Sequence, residues 1–151
     1  MNVLKLLKED HSKVQTLCDK IDEIGKVSYE KRGELFEKIR RELQLHSRAE
    51  QEIFYPAIKA FNGDGRRLVS EALKDHQDVN ELLTQISRLK TDDENFEIKM
   101  EALMENVDHH VAGEEGEIFR FAEENYSADQ LEELGQQIEN RKKTLDQLMA
   151  A

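Results

Sequence analysis

Apolar residues recur every three or four positions along most of the chain, the spacing that lays one face of a helix against a core. A first stripe runs Leu4, Leu7, His11, Val14, Cys18 and Ile21, and a second runs Leu35 or Phe36, Ile39, Leu43, His46, Glu50, Ile53 and Ala57. A third takes in Val69, Ala72, His76, Val79, Leu83 and Ile86, and a fourth Phe96, Met100, Leu103, Val107 and His110. The stripes break at Gly25–Ser28, at Asn62–Gly65 and at Thr91–Asp93, where turn-forming residues cluster. Ser127 followed by Gln130 reads as the capping box of one more helix, carrying Leu131, Leu134, Ile138, Leu145 and Leu148. The pattern predicts an all-α fold: an up-down-up-down four-helix bundle over residues 1–125, with residues 126–151 as a C-terminal fifth helix packed on the same domain.

The chain repeats itself at an offset of 65 residues. Asp10-His11-x-x-Val14-x-x-Leu17 returns as Asp75-His76-x-x-Val79-x-x-Leu82, and Glu50-x-Glu52-Ile53-Phe54 returns as Glu115-x-Glu117-Ile118-Phe119. Each half is therefore a helical hairpin, and two duplicated hairpins build the bundle.

Composition narrows the chemistry. A chain of 151 residues with one proline, seven glycines and 36% charged residues favours helix over a turn-rich β-fold. At this length folding buries roughly two-thirds of the unfolded surface, so no disulfide or metal is needed for stability alone. The lone Cys18 excludes an internal disulfide and cysteine-ligated metal sites, and it suits a reducing compartment. No apolar run approaches a membrane span and the first ten residues lack a signal-peptide core, so the expectation is a cytoplasmic protein with no membrane partner. Residues 1–75 are nearly neutral at +1, whereas residues 76–151 carry −12. That imbalance argues against nucleic acid, which calls for a basic surface, and is compatible with cations.

What interrupts the apolar stripes carries the function. His11, His46, His76 and His110 each stand where the pattern asks for Leu or Ile, and Glu50 follows His46 by one turn on the same face. A buried carboxylate without a partner costs several kcal/mol, on the order of a whole fold's margin. Two histidines and one acid from each hairpin, converging at one level of the bundle, form a dinuclear metal site. Imidazole and carboxylate suit iron, manganese or zinc. The second acid has two candidates. Glu114 stands four residues after His110, as Glu50 does after His46, but the 65-residue repeat aligns Glu115 with Glu50. Glu115 would face inward only if a π-type bulge near Gly113 absorbed one residue, and such bulges often mark functional sites. The repeat favours Glu115, with Glu114 as the alternative.

These residues resemble the hemerythrin-like family of HHE cation-binding domains: His11, then His46-x-x-x-Glu50-x-Glu-Ile-Phe-Tyr-Pro, then Asp75-His76, then His109-His110-Val-x-x-Glu114-Glu115. The resemblance implies two iron ions with an oxo or hydroxo bridge. His11, His46, His76 and His110 would then be terminal ligands, with Glu50 and Glu115 bridging. It further implies small-molecule partners (oxygen, peroxide or nitric oxide), through di-iron turnover or through iron holding and gas sensing without turnover. One position departs from the oxygen-carrying hemerythrins, where a fifth histidine follows the counterpart of His76 by one turn. Asn80 stands there, which turns the expectation from reversible oxygen carriage towards reduction of peroxide or oxygen, or loose metal holding. His109, about 100° around the helix from His110, is expected at the surface. A monomer or weak homodimer is the expected state, the fifth helix offering a minor dimer contact.

Overall fold

The computed structural model describes residues 1–150; Ala151, the last residue of the expected 126–151 segment, lies outside them. Helix α1 (Val3–Ile24) begins where the Asn2 side chain accepts the Lys5 backbone N–H, satisfying a donor that the first helical turn leaves free. It ends at Gly25, whose φ of +48° suits a residue without Cβ. Ser28 caps α2 (Tyr29–Ala49) in the same way, and Asn62 caps α4 (Gly63–Ser87) by accepting from Asp64 and Gly65. Between them the chain passes through a π-turn at Glu50–Phe54 into the short α3 (Tyr55–Lys59). The second hairpin repeats the plan: α5 (Asn95–Gly113), a π-turn at Glu114–Ile118, then α6 (Phe119–Asn125). Helix α7 (Ala128–Ala150) opens on the expected capping box, Ser127 N–H donating to Gln130 Oε1 at 2.9 Å and Gln130 N–H to Ser127 Oγ at 3.2 Å.

Helix α1 packs on α2, α4 packs on α5, and α7 lies across α1 and α2. The apolar interior is divided into two clusters. Val3, Leu4, Leu7, Phe54, Ile58, Val69 and Phe119 gather at one end with Leu131 and Ile138 of α7, and Val14, Cys18, Phe36, Ile39, Leu83, Phe96 and Leu103 gather at the other. His11, His46, His76 and His110 fall between these clusters on each of the four helices, so the polar layer is sandwiched by apolar ones. The expected second stripe changes face after Glu50: Phe54, Tyr55 and Ile58 are buried, whereas Ile53 and Ala57 are only half-buried. The π-turn is the cause, since its additional residue rotates the inward face forward by one position. Among the described residues no helix is long and apolar enough to cross a membrane. Cys18 sits in the second cluster, where burial pushes its thiol up to about 11.

The seat of α7 is set by Gly135, which passes so close to Met1 and Asn2 that a Cβ would collide with the Met1 carbonyl. Close by, the N-terminal ammonium meets Glu132 at 2.7 Å. Gly135→Ala is expected to lose more to this overpacking, typically about 1–3 kcal/mol, than it gains in helix propensity, about 1 kcal/mol. A fall in Tm of about 2–4 °C, read by thermal denaturation, is the predicted outcome; an unchanged or higher Tm would show that the first residues of α1 are free to move aside.

Candidate metal centre

Four helical segments each deliver one histidine to the polar layer, and the turns that follow α2 and α5 deliver two acids. His46 and Glu50 are one α-helical turn apart, with His46 Nε2 and Glu50 Oε1 separated by 3.0 Å. His110 and Glu114 repeat the relation at 3.2 Å. Crossing contacts knit the hairpins together: His11 Nε2 lies 3.1 Å from Glu114 Oε1, and His76 Nε2 lies 3.1 Å from Glu50 Oε1. One donor atom from each of His11, His46, Glu50, His110 and Glu114 fits within 4.8 Å of all the others. The four rings form two pairs, His11 with His46 at 4.9 Å between centroids and His76 with His110 at 4.7 Å.

Glu114 thus occupies the place that the 65-residue repeat assigned to Glu115. Glu50 and Glu114 are 0% and 1% exposed, while the Glu115 side chain, 33% exposed, accepts a hydrogen bond from His11 Nδ1 at 2.8 Å on the outer side of the ring. The helix is regular from His110 to Glu114, whose N–H reaches the His110 carbonyl, and the π-turn begins only there. The extra residue therefore follows the inward acid instead of preceding it. Structurally, His11 matches His76 at an offset of 65, but His46 and Glu50 match His110 and Glu114 at 64. From Glu50 onward burial also repeats at 64, pairing Phe54 with Ile118, Tyr55 with Phe119 and Ile58 with Ala122.

That pairing brings forward a residue which sequence reasoning passed over. In each π-turn the N–H of the sixth residue bonds the carbonyl of the acid, which sets Tyr55 over Glu50 and Phe119 over Glu114. Phe119 stacks on His11, while Tyr55, 2% exposed, lies against His76. The Tyr55 hydroxyl donates to Glu114 Oε2 and lies 3.1 Å from Glu50 Oε1 and 3.2 Å from His76 Nε2. The available signal was the unchanged His-x-x-x-Glu spacing, which sets the 64-residue register and makes Tyr55 the counterpart of a buried aromatic.

Outer partners hold the rings. His46 Nδ1 donates to Asp10 Oδ2 at 2.9 Å, and Asp10 is itself bound by Lys142 of α7 at 2.6 Å. The Gln51 amide lies 2.9 Å from His76 Nδ1, and Asp75 Oδ2 lies 3.8 Å from His110 Nδ1. His109 is at the surface, its side chain 79% exposed, and Asn80 is exposed. Asn80 therefore does not supply the fifth inward position of the oxygen carriers.

Burial alone would strip the charges from this layer, yet the groups sustain one another. Burial works against His46, but the Glu50 carboxylate, Asp10 and Glu114 outweigh it and hold the imidazole well above its ordinary value. His110 is pushed up to about 10 in the same way, by Glu114 and Glu50 against desolvation. Glu50 is held well below the usual carboxylate range, the neighbouring His46, Glu114 and His110 overcoming its burial. Burial together with the charges of Glu50 and Glu114 drives the Tyr55 phenol well above its usual value, so it keeps its proton. Even so, His11 Nε2, His46 Nε2, Glu50 Oε2 and Glu114 Oε1 are buried without a hydrogen bond, the His11–Glu114 and His46–Glu50 approaches at 3.1 and 3.0 Å being charge contacts only. Histidines that merely satisfied one another would not leave such atoms, whereas a divalent cation among nitrogen and oxygen donors satisfies them all.

Residues 2–122 match the family model described as the hemerythrin HHE cation-binding domain. The chain is 27% identical over 147 residues to a protein of Nostoc sp. named DNA nickase, covering 97% of this chain and 41% of that protein. It is 28% identical over 103 residues to an uncharacterized hemerythrin-like protein of Schizosaccharomyces pombe, covering 68% of this chain and 51% of that one. The chain thus spans about half or less of these relatives' length. Among solved structures it is similar to a hemerythrin HHE cation-binding domain-containing protein from Mycobacterium kansasii. The TM-score is 0.84 at 27% identity, over 95% of this chain and 86% of that one.

Proposed function

Because the chain belongs to the hemerythrin HHE cation-binding domain family, we propose that it holds two iron ions among His11, His46, His76 and His110, with Glu50 and Glu114 shared between them, and that it reacts there with oxygen, peroxide or nitric oxide. Four buried polar atoms without partners, on His11, His46, Glu50 and Glu114, are the observation that carries this reading. When bound, a pair of irons supplies one-electron redox chemistry and coordination positions open to a small molecule.

The chain's own residues supply the rest. Glu50 and Glu114 place two negative charges where two cations would otherwise repel each other. Asp10, Glu115 and Gln51 orient the imidazoles from behind, which fixes which ring nitrogen faces the centre. Tyr55 keeps a proton at its hydroxyl beside both carboxylates, available to a species that gains negative charge on reduction. Val14, Leu43, Val79 and Val107 wall a space of about 20 Å³ beside the four histidines, which suits a diatomic molecule or peroxide better than a larger substrate. Asn80 stands where the oxygen carriers have their fifth histidine, which favours reduction of peroxide or oxygen over reversible carriage. The acidic 76–151 half repels phosphate, so no nucleic acid is expected as partner. A cytoplasmic setting keeps Cys18 reduced.

The test is anaerobic loading with ferrous iron, desalting, metal analysis, and then mixing with peroxide or oxygen under optical observation. Two irons per chain are expected, with sustained consumption of peroxide either by disproportionation to oxygen and water or at the expense of a reductant added to the assay. A stable oxygen or nitric oxide adduct without turnover would favour holding or sensing, and fewer than one iron per chain would end the dinuclear reading.

A further inference from the structure

The two halves of the centre match in their inner ligand types and differ in what surrounds them. Behind the His11–His46 pair, both outer nitrogens face carboxylates, Glu115 at 2.8 Å and Asp10 at 2.9 Å, and Lys142 fixes Asp10 from α7. Behind the His76–His110 pair stand the Gln51 amide and Asp75, the latter no closer than 3.8 Å to His110 Nδ1. A carboxylate admits only the Nδ1–H tautomer, leaving Nε2 free for a cation and more basic; an amide accommodates either tautomer.

The inner atoms differ independently. His11 Nε2, His46 Nε2 and Glu114 Oε1 have no hydrogen-bond partner. On the other half, His76 Nε2 lies within hydrogen-bonding distance of the Tyr55 hydroxyl, at 3.2 Å, and of His110 Nε2, at 3.3 Å. A cation entering the first half displaces only the close charge contacts of His11 Nε2 with Glu114 at 3.1 Å and of His46 Nε2 with Glu50 at 3.0 Å. One entering the second half must first break the contacts that Tyr55, His76 and His110 make among themselves.

We infer that the two halves fill in order, divalent metal binding first and more tightly between His11 and His46 and second between His76 and His110, with Glu115 and Asp10 as the positioning residues that set the difference. This rests on the dinuclear reading above. Loss of a single outer partner typically costs about 10–100-fold in metal affinity, so the two dissociation constants are expected to differ by about tenfold or more.

The experiment is titration of the metal-free full chain with Co2+, followed by visible absorption and calorimetry. The wild type is expected to bind two cobalts in two resolved steps. His76→Ala should keep the tight step at one cobalt per chain, and His11→Ala should lose it. Glu115→Gln should weaken the tight step about 10–100-fold while sparing the second, and Gln51→Glu should narrow the gap. These last two substitutions are nearly isosteric and lie at positions that are not fully buried, so they test the order even if a histidine variant misfolds. Two cobalts bound in a single step of uniform affinity, or a Glu115→Gln variant unchanged in its tight step, would overturn the order while leaving the dinuclear reading standing. Binding of less than one cobalt per chain would overturn both.

Discussion

Glu114→Ala is expected to abolish two-metal loading, and Glu115→Ala to preserve it at saturating metal. Glu114 reaches both histidine pairs, His11 Nε2 at 3.1 Å through one oxygen and His110 Nε2 at 3.2 Å through the other, and accepts the Tyr55 hydroxyl as well. Glu115 touches only the outer nitrogen of His11. Metal content after anaerobic ferrous loading and desalting should fall from two irons per chain to one or none in Glu114→Ala, and stay at two in Glu115→Ala. Truncation of one member of a buried ionic cluster also costs about 3–5 kcal/mol in the metal-free protein. Glu114→Gln, which keeps the shape, should therefore be loaded alongside it, with far-ultraviolet circular dichroism confirming the helices. If Glu115→Ala loses the metals and Glu114→Ala keeps them, the inward acid has been misassigned.

Thermal stabilisation by Zn2+ should grow as pH rises from about 6 to 9, while the metal-free protein weakens over the same interval. In the folded, metal-free chain His46 sits well above its ordinary value and His110 at about 10, against about 6.5 unfolded. Raised histidines contribute stability that is fully present below about 6.5 and is lost as pH climbs through the folded values. Metal binding needs the neutral imidazoles, so it must expel these protons, and that becomes easier by about 1.4 kcal/mol per pH unit for each proton displaced. The two trends widen the gap in Tm between loaded and metal-free protein. Below about pH 4.5 the sign reverses for the acids: Glu50, held low when folded, stabilises above that value and loses its contribution as pH falls. A Tm gap that is flat or shrinks between pH 6 and 9 would show that protons and metal do not compete for these imidazoles.

Much of this was legible in the chain because the bundle is built from faces. His11, His46, His76 and His110 were readable as inward residues because each replaces an apolar one at helical spacing, and all four are buried. The sequence leaves the second acid between Glu115, which the repeat favours, and Glu114, for a physical reason. Matching by identity, Glu-Ile-Phe at 52–54 with Glu-Ile-Phe at 117–119, selects the 65-residue register, whereas burial follows the His-x-x-x-Glu spacing and runs at 64. A π-turn leaves little trace in residue identity, being a choice between carbonyl partners one position apart. Its placement after the acid instead of before it decides both which glutamate turns inward and which aromatic lies over it. Asp10 is readable from the sequence as an acceptor behind one of the histidines, but not which ring it serves: it adjoins His11 in sequence, yet it crosses to the neighbouring helix and meets a ring 36 residues away.

The two π-turns also bear on how such a protein changes over descent. Each holds one residue more than an α-helix needs, and each lies just beyond its glutamate, so His46 and Glu50 are untouched by whatever happens downstream. Deleting a single residue from 51–54 would close the first turn into ordinary helix and leave Tyr55 one regular turn beyond Glu50, its phenol still over the carboxylates. The extra residue is thus removable by one codon while the polar layer and everything downstream keep their register. A lineage could lose the bulge, or regain it, without rebuilding the bundle.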